Sequence, residues 1–300
     1  MKIIVPPRGA SSTNPWITPS LAVAAVLATL LLYLVLQRQF QAYDSRIALA
    51  FQASSIAALA TAAGTLPLLF VKAFSQRAND TMLGFGAGVM LAAAAYSLVL
   101  PGLEAASEQI GGKWTPAVVV GIAIVFGAGL LMATEWLVPH EHFIKGREGR
   151  DGRAIRRAWL FVFAIALHNI PEGLAIGVAF AGTDLGSAWA LATGISIQNV
   201  VEGLVTAMAI RSVGYSRTLS MSLGAASGLV EPAAAVFGAF LIGLSAELLP
   251  WGLGFAAGAM LFVISHEVIP ESHRKGHESF ATGGLMIGFV LMMALDTVLA

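Results

Sequence analysis

The phrase HNIPEG, residues 168–173, sets an imidazole, an amide and a carboxylate inside a run that is otherwise apolar. His168 and Glu172 are four residues apart, so on a helix they project from one face. The phrase QNVVEG, residues 198–203, repeats the arrangement with Gln198 and Glu202, and Asn199 follows Gln198 as Asn169 follows His168. Each asparagine lies about 100° around its helix from that face. Two helices packed through these faces would bring together an imidazole, amide oxygens and two carboxylates. A third acid, Glu231 in GLVEPAAA, again sits in an apolar run and again abuts a proline, Pro232. The chain has no Lys or Arg between Arg157 and Arg211 to offset Glu172 and Glu202. Counted from the charged ends of their runs, His168 lies about 16 Å deep and Glu202 about 12 Å, near the centre of a bilayer core. An ionised carboxylate there costs several kcal/mol unless a cation or a proton neutralises it. A mixed oxygen and nitrogen donor set suits the borderline divalent ions Zn²⁺, Cd²⁺, Fe²⁺ and Mn²⁺. Pro171 leaves the carbonyl of Leu167 without its helical donor, and Pro232 is expected to do the same for Gly228. Gly173 and Gly203 are expected to admit a neighbouring helix closely.

Composition says what must position these groups. Of the 300 residues 57% are hydrophobic and 11% charged, which marks an all-α integral membrane protein. Apolar stretches of spanning length fall at 18–36, 48–71, 81–101, 116–139, 158–182, 187–210, 218–245, 251–270 and 280–299. The first is read as an uncleaved span, since its apolar run is too long for a signal core and no small-residue cleavage site follows it. With nine spans, fourteen of the 17 Lys and Arg lie on the side of the N-terminus, and only Arg38, Arg46 and Lys113 lie on the other. The N-terminus is therefore expected in the cytoplasm and the C-terminus outside, in the cell (inner) membrane. The absence of cysteine excludes disulfides and thiolate metal sites, and zero net charge argues for no nucleic-acid partner. The polar segment 140–157 is expected to be a cytoplasmic loop, and His140, Glu141 and His142 within it are either weak metal ligands or solvated residues.

The repeats extend beyond the central phrases. FGAGVML from Phe85 matches FAAGAML from Phe255, and each is followed by an apolar stretch ending in a proline, Pro101 or Pro270. By the span count each matched pair runs in opposite directions, the signature of an inverted-topology repeat with a binding site near the midplane. Met90 lies mid-span, either as a thioether near an outer approach or as a gap-filling core residue. His266, Glu267, Glu271 and His277 gather at one end of the eighth span. Glu135 and Asp296 are further acids within spans whose roles the sequence leaves open.

HNIPEG, the Q-N-x-x-E-G phrase after it, the Glu-Pro helix and HEVIPESH together resemble the ZIP family of divalent metal transporters, bacterial type. The likeness covers residues 48–300. It implies an eight-helix core arranged three, two, three by inverted symmetry, preceded by one extra N-terminal transmembrane helix within residues 1–47. It also implies a two-metal central site on His168, Asn169, Glu172, Gln198, Asn199, Glu202 and Glu231. Glu172 would bridge, with His168 and Glu202 completing one ion's shell and Asn169, Gln198, Asn199 and Glu231 surrounding the other. The His266 to His277 cluster would then line an exit. Many members carry His where Gln198 stands and Pro where Val201 stands, and some carry Asp where Asn199 stands. The second ion is therefore expected to bind more weakly or to vary more in identity, and the sixth span is expected to be straighter than the fifth.

The function expected is transport of a divalent transition metal, Zn²⁺ before Cd²⁺, Fe²⁺ or Mn²⁺, into the cytoplasm by alternating access, with no prosthetic group. The partners expected are the metal ions and the lipid bilayer, and a homodimer is left open. The alternatives are a proton-coupled carrier of another solute, which would need no such ligand spacing, and an intramembrane metalloprotease. The latter fails on HEVIP, where Pro270 stands in place of the second histidine of H-E-x-x-H, so no enzyme is expected.

Overall fold

Asp and Ser at the ends of the apolar runs decide where the helices begin. A computed structural model of the chain describes residues 17–71, 75–137, 153–212 and 214–299, with side chains over 27–71, 75–134, 167–212 and 214–299. Every regular element among the described residues is helical. They join into nine rods: α1 Ile17–Tyr43, α2 Ser45–Leu69, α3 Gln76–Gln109, α4 Thr115–Leu137, α5 Arg153–Gly182, α6 Leu185–Ser212, α7 Arg217–Leu244, α8 Ala246–His273 and α9 Glu278–Leu299. The Asp44 carboxylate accepts from Arg46 N–H to open α2, Ser75 caps α3 and Ser216 caps α7. Asp184 accepts from Ser187 N–H at the start of α6, and hydrogen bonds from the Ser187 hydroxyl and N–H hold its carboxyl below the usual carboxylate range.

Seven of the rods among the described residues are long and apolar enough to cross a membrane, namely α2 to α4 and α6 to α9. The remaining two, α1 and α5, have 27 and 30 residues, enough to span a hydrocarbon core of ~30 Å at ~1.5 Å per residue. The chain is a multi-pass, all-α membrane protein. The start of α5 at Arg153 falls inside the segment 140–157 read as loop from the sequence. His140, Glu141 and His142 lie outside the described residues, as does the Glu135 side chain. The break between α1 and α2 at Asp44 falls inside the segment 1–47, and α1 packs on α2 through Tyr33 and Phe40 against Phe51.

Contacts sort the remaining eight rods into two groups. The most extensive pairings are α3 with α9, α5 with α7, α4 with α8 and α2 with α6. Exchanging α2 with α7, α3 with α8, α4 with α9 and α5 with α6 maps this pattern onto itself, as the inverted repeat requires. Within each pair glycines let backbones touch. A Cβ on Gly84 or Gly88 would run into the carbonyls of Ala281 or Leu285 on α9, and one on Gly203 into the carbonyl of Thr61 on α2. Between α2, α5, α6, α7 and α3, α4, α8, α9 the neighbours differ. Gly194 faces the Met292 side chain, and Gly182 faces that of Leu249. Gly186 at the start of α6 is the exception, since a Cβ there would meet the backbone carbonyl of Leu299 at the end of α9. Large apolar side chains such as Leu31, Val125, Phe126 and Ile287 cover the outside, as hydrocarbon demands.

The matched phrases in α3 and α8 share a local distortion. Each rod passes through a π-helical segment, Ala93–Val99 in α3 and Ile264–Val268 in α8, immediately before its Leu100-Pro101 or Ile269-Pro270 pair. Leu100 N–H bonds to Ala95 O and Ile269 N–H to Ile264 O, so the extra residue in the turn absorbs the proline that could not continue an α-helical ladder.

Candidate metal centre

The central site rests on α5 and α6, with α7 and α2 behind it. Asn169, Glu172, Gln198, Asn199 and Glu231 are all buried, with Glu231 and Asn199 fully enclosed. A string of hydrogen bonds crosses four helices. The Gln198 amide donates to Glu172 Oε1 at 3.4 Å and to Asn199 Oδ1 at 2.6 Å. Asn199 Nδ2 donates to both oxygens of Glu231, at 2.8 and 2.9 Å, and Thr61 Oγ1 reaches Glu231 Oε1 at 3.4 Å. Asn199 also meets the carbonyl of Ala57 at 3.2 Å.

Glu231 is held by local backbone geometry as well. The α-helix of α7 is interrupted after Ser227 and resumes at Val230, which puts Glu231 in the first turn of a new helical segment. Its carboxylate therefore lies at the positive end of that segment's dipole. The expected free carbonyl of Gly228 is not free, because the interruption lets Glu231 N–H reach it at 3.1 Å. This i→i+3 bond replaces the donor that Pro232 lacks. Gly173 also does what its lack of a side chain predicts, since a Cβ there would strike the backbone of Glu231.

The other half of the site is unsatisfied. Glu172 Oε2, Glu202 Oε1 and both amide atoms of Asn169 are buried without a hydrogen-bond partner among the described residues. Such atoms are costly in an apolar interior, at ~1–3 kcal/mol each. His168 Nε2 instead meets Glu267 Oε1, on the π-helical segment of α8, at 3.0 Å. No three His, Asp or Glu side chains among the described residues gather closely enough to hold a metal ion by themselves. Amides are interleaved with the acids here, and His168 is turned toward α8.

A cavity of ≈120 Å³ opens on this half. At ~30 Å³ per water it has room for an ion with several of its waters. His168, Glu172, Gln198 and Glu202 line one wall, and Met90 of α3 with Glu267 and Glu271 of α8 line the other. The cavity thus lies where the two helix groups meet. Asn169, Asn199 and Glu231 are not on its wall. Neither are His266 and His277. His266 stacks on Phe262 with ring centroids 5.0 Å apart, and His277 Nδ1 meets Asp80 Oδ2 at 2.9 Å. Asp80 is fully buried and also accepts from Gln76 Nε2 at 2.7 Å. Asp296, left open by the sequence, accepts from the Ser97 hydroxyl at 2.7 Å.

Three residues escaped the sequence reading. Asp80 stands just outside the apolar stretch 81–101. Thr61 has no motif to mark it. Thr206, which lines the cavity, was legible in principle, because it lies four residues after Glu202 on the same face of α6.

Residues 139–296 match the family model described as ZIP Zinc transporter. The chain is 45% identical over 291 residues to "Zinc transporter ZIPB" of Bordetella bronchiseptica, covering 96% of this chain and 94% of the relative. It is 45% identical over 244 residues to "Zinc transporter GufA" of Myxococcus xanthus, covering 81% and 96%. To "Zinc transporter ZIP11" of Homo sapiens it is 32% identical over 317 residues, covering 79% and 93%.

Proposed function

The chain belongs to the ZIP zinc transporter family, and from that premise we propose that it carries zinc into the cytoplasm through the centre between α5 and α6. The family is one of metal-ion transporters, not enzymes. Cadmium, iron(II) and manganese(II) are the further cargo that the donor set favours. The observation that carries the reading is the pair of buried, unpartnered oxygens on Glu172 and Glu202 beside a cavity of ionic size. A divalent ion must shed water at this depth, and these atoms are the replacements.

The first ion would be held by Glu172 and Glu202 once His168 leaves Glu267 and turns inward. Zn–N and Zn–O bonds of ~2.0–2.2 Å require that convergence. The second ion, on the Asn169, Gln198, Asn199 and Glu231 side with Glu172 bridging, must displace the bonds that Gln198, Asn199 and Glu231 already make to one another and to Glu172. Gln198 in particular presents its amide donor, and would have to turn its Oε1 to the ion. Weak or selective occupancy of the second position follows.

Transport would proceed by rocking or sliding of α2, α5, α6 and α7, which carry the central site, against α3, α4, α8 and α9, which form the far wall. Side-chain contacts at Gly182 and Gly194 between the groups, against glycine-locked backbones within them, favour motion at that boundary, with the close approach of Gly186 to Leu299 at its edge. The N-terminus lies in the cytoplasm and the C-terminus outside on the distribution of Lys and Arg, and the lipid-facing rods leave a homodimer as an assembly to test. The reading is tested by uptake of radioactive zinc and cadmium into liposomes holding the purified protein. Saturable uptake that is lost in His168→Ala and Glu172→Ala is the expected result. Uptake unchanged in Glu172→Ala removes the central-site assignment, and no divalent uptake by the wild type reopens a proton-coupled carrier.

A further inference from the structure

Serine and threonine in a membrane helix have a ready partner, the carbonyl one turn back. This chain uses it widely. Ser54, Thr183, Thr297 and, on α6 itself, Ser196 donate to the carbonyl four residues earlier at 2.7–2.8 Å. Thr206 does not. Its side chain is fully buried, yet Oγ1 has no partner among the described residues, and the residue lines the cavity of the metal centre.

Its position gives the exception a meaning. Thr206 is one turn beyond Glu202, about 6 Å further toward the Arg211 end of α6. Across the cavity Glu271 is likewise one turn beyond Glu267 on α8. The rest of the wall in this stretch is apolar, made by Leu83, Val205 and Val268. An ion leaving Glu172 and Glu202 in this direction meets one oxygen on α6, and it is neutral. Neutrality matters, since a carboxylate there would hold the ion, and passage requires sites weak enough to leave. Waters on a divalent metal are polarised donors, and a threonine hydroxyl can accept from them while donating onward to a second water or to Glu271.

We propose that the Thr206 hydroxyl is the first polar station of the release route, accepting a hydrogen bond from water on the departing divalent ion and so starting to rebuild its hydration shell. This inference rests on the metal-transport reading of the centre and adds a residue to it. Removing the hydroxyl should slow release without weakening the centre. It should also not destabilise the fold, because Thr206→Val replaces an unpartnered buried hydroxyl by a methyl of the same shape.

The test compares wild type, Thr206→Val and Thr206→Ser in zinc-loaded liposome assays, together with equilibrium zinc binding and thermal melting of the purified protein. Thr206→Val is expected to lose about fivefold in maximal rate while Thr206→Ser stays within about twofold of wild type. Zinc affinity should be unchanged in both, and the melting temperature of Thr206→Val should be equal or higher. A wild-type rate in Thr206→Val overturns the proposal. So does an equal loss in Thr206→Ser, which would make the methyl group the essential part. A loss of affinity matching the loss of rate overturns it too, by placing Thr206 within the centre. Absence of zinc uptake by the wild type removes the transport reading itself, and this one with it, whereas the other outcomes leave that reading intact.

Discussion

The two halves of the candidate metal centre are built from the same residue types and behave as opposites. Around Glu231 the side chains of Asn199, Thr61 and Gln198 are joined to it or to one another: Asn199 donates to both carboxylate oxygens, Thr61 adds a hydroxyl, and Gln198 closes onto Asn199. Around Glu172 and Glu202 buried oxygens stand without partners beside a cavity. A satisfied buried network rigidifies a core, and an unsatisfied one destabilises it. On the proposed reading the first half holds α2, α6 and α7 in register and the second receives cargo. If two ions are bound as proposed, the one nearer Glu231 should bind second and more weakly.

Breaking the open half should abolish transport and spare the fold. Glu202→Gln is expected to lower the initial rate of zinc uptake in liposomes by ~100-fold, with a melting temperature no lower than wild type, because Oε1 has no bond to lose. A large fall in melting temperature would show that Glu202 is structural instead.

Breaking the closed half should do the reverse. Glu231→Gln sets an amide donor against the Asn199 donors, and is expected to lower the melting temperature by several degrees while reducing uptake only ~5-fold. Pairing it with Asn199→Asp restores a donor–acceptor match and should recover part of that stability. If the double variant melts no higher than Glu231→Gln alone, the Asn199–Glu231 bonds do not hold the bundle.

The smallest effect belongs to the link between the halves. Gln198→Ala removes the donor shared by Glu172 and Asn199, and is expected to shift the half-saturating zinc concentration by ~2–3-fold, with little change in maximal rate. A maximal rate that falls as far as in Glu202→Gln would place Gln198 among the obligatory ligands.

The rods were legible in the sequence because spanning length and apolar content are properties of single segments, and the phrases around His168 and Gln198 revealed their antiparallel kinship. The glycines were legible too, since Gly173 and Gly203 sit beside the acids whose helices must touch. What spacing could not give was which atoms meet across helices. That His168 turns to Glu267, that Asn199 closes on Glu231, and that His277 pairs with Asp80 depend on helix rotation and rotamers. Local backbone detail was also hidden. The carbonyl of Gly228 was expected to be free beside Pro232, but the interruption of α7 supplies Glu231 N–H to it. Similarly, the apolar stretch 81–101 says nothing of the polar turn before it, where Ser75 caps α3 and brings Asp80 inside the helix.

The central claim is that Glu172 and its unpartnered oxygen receive the ion, with Glu231 in support. Equilibrium binding of radioactive zinc to the purified wild type, Glu172→Gln and Glu231→Gln tests it most directly. Glu172→Gln is expected to lose the tight zinc altogether, while Glu231→Gln keeps it and loses only a weaker second binding event. Tight binding that survives in Glu172→Gln, or vanishes in Glu231→Gln alone, would contradict it.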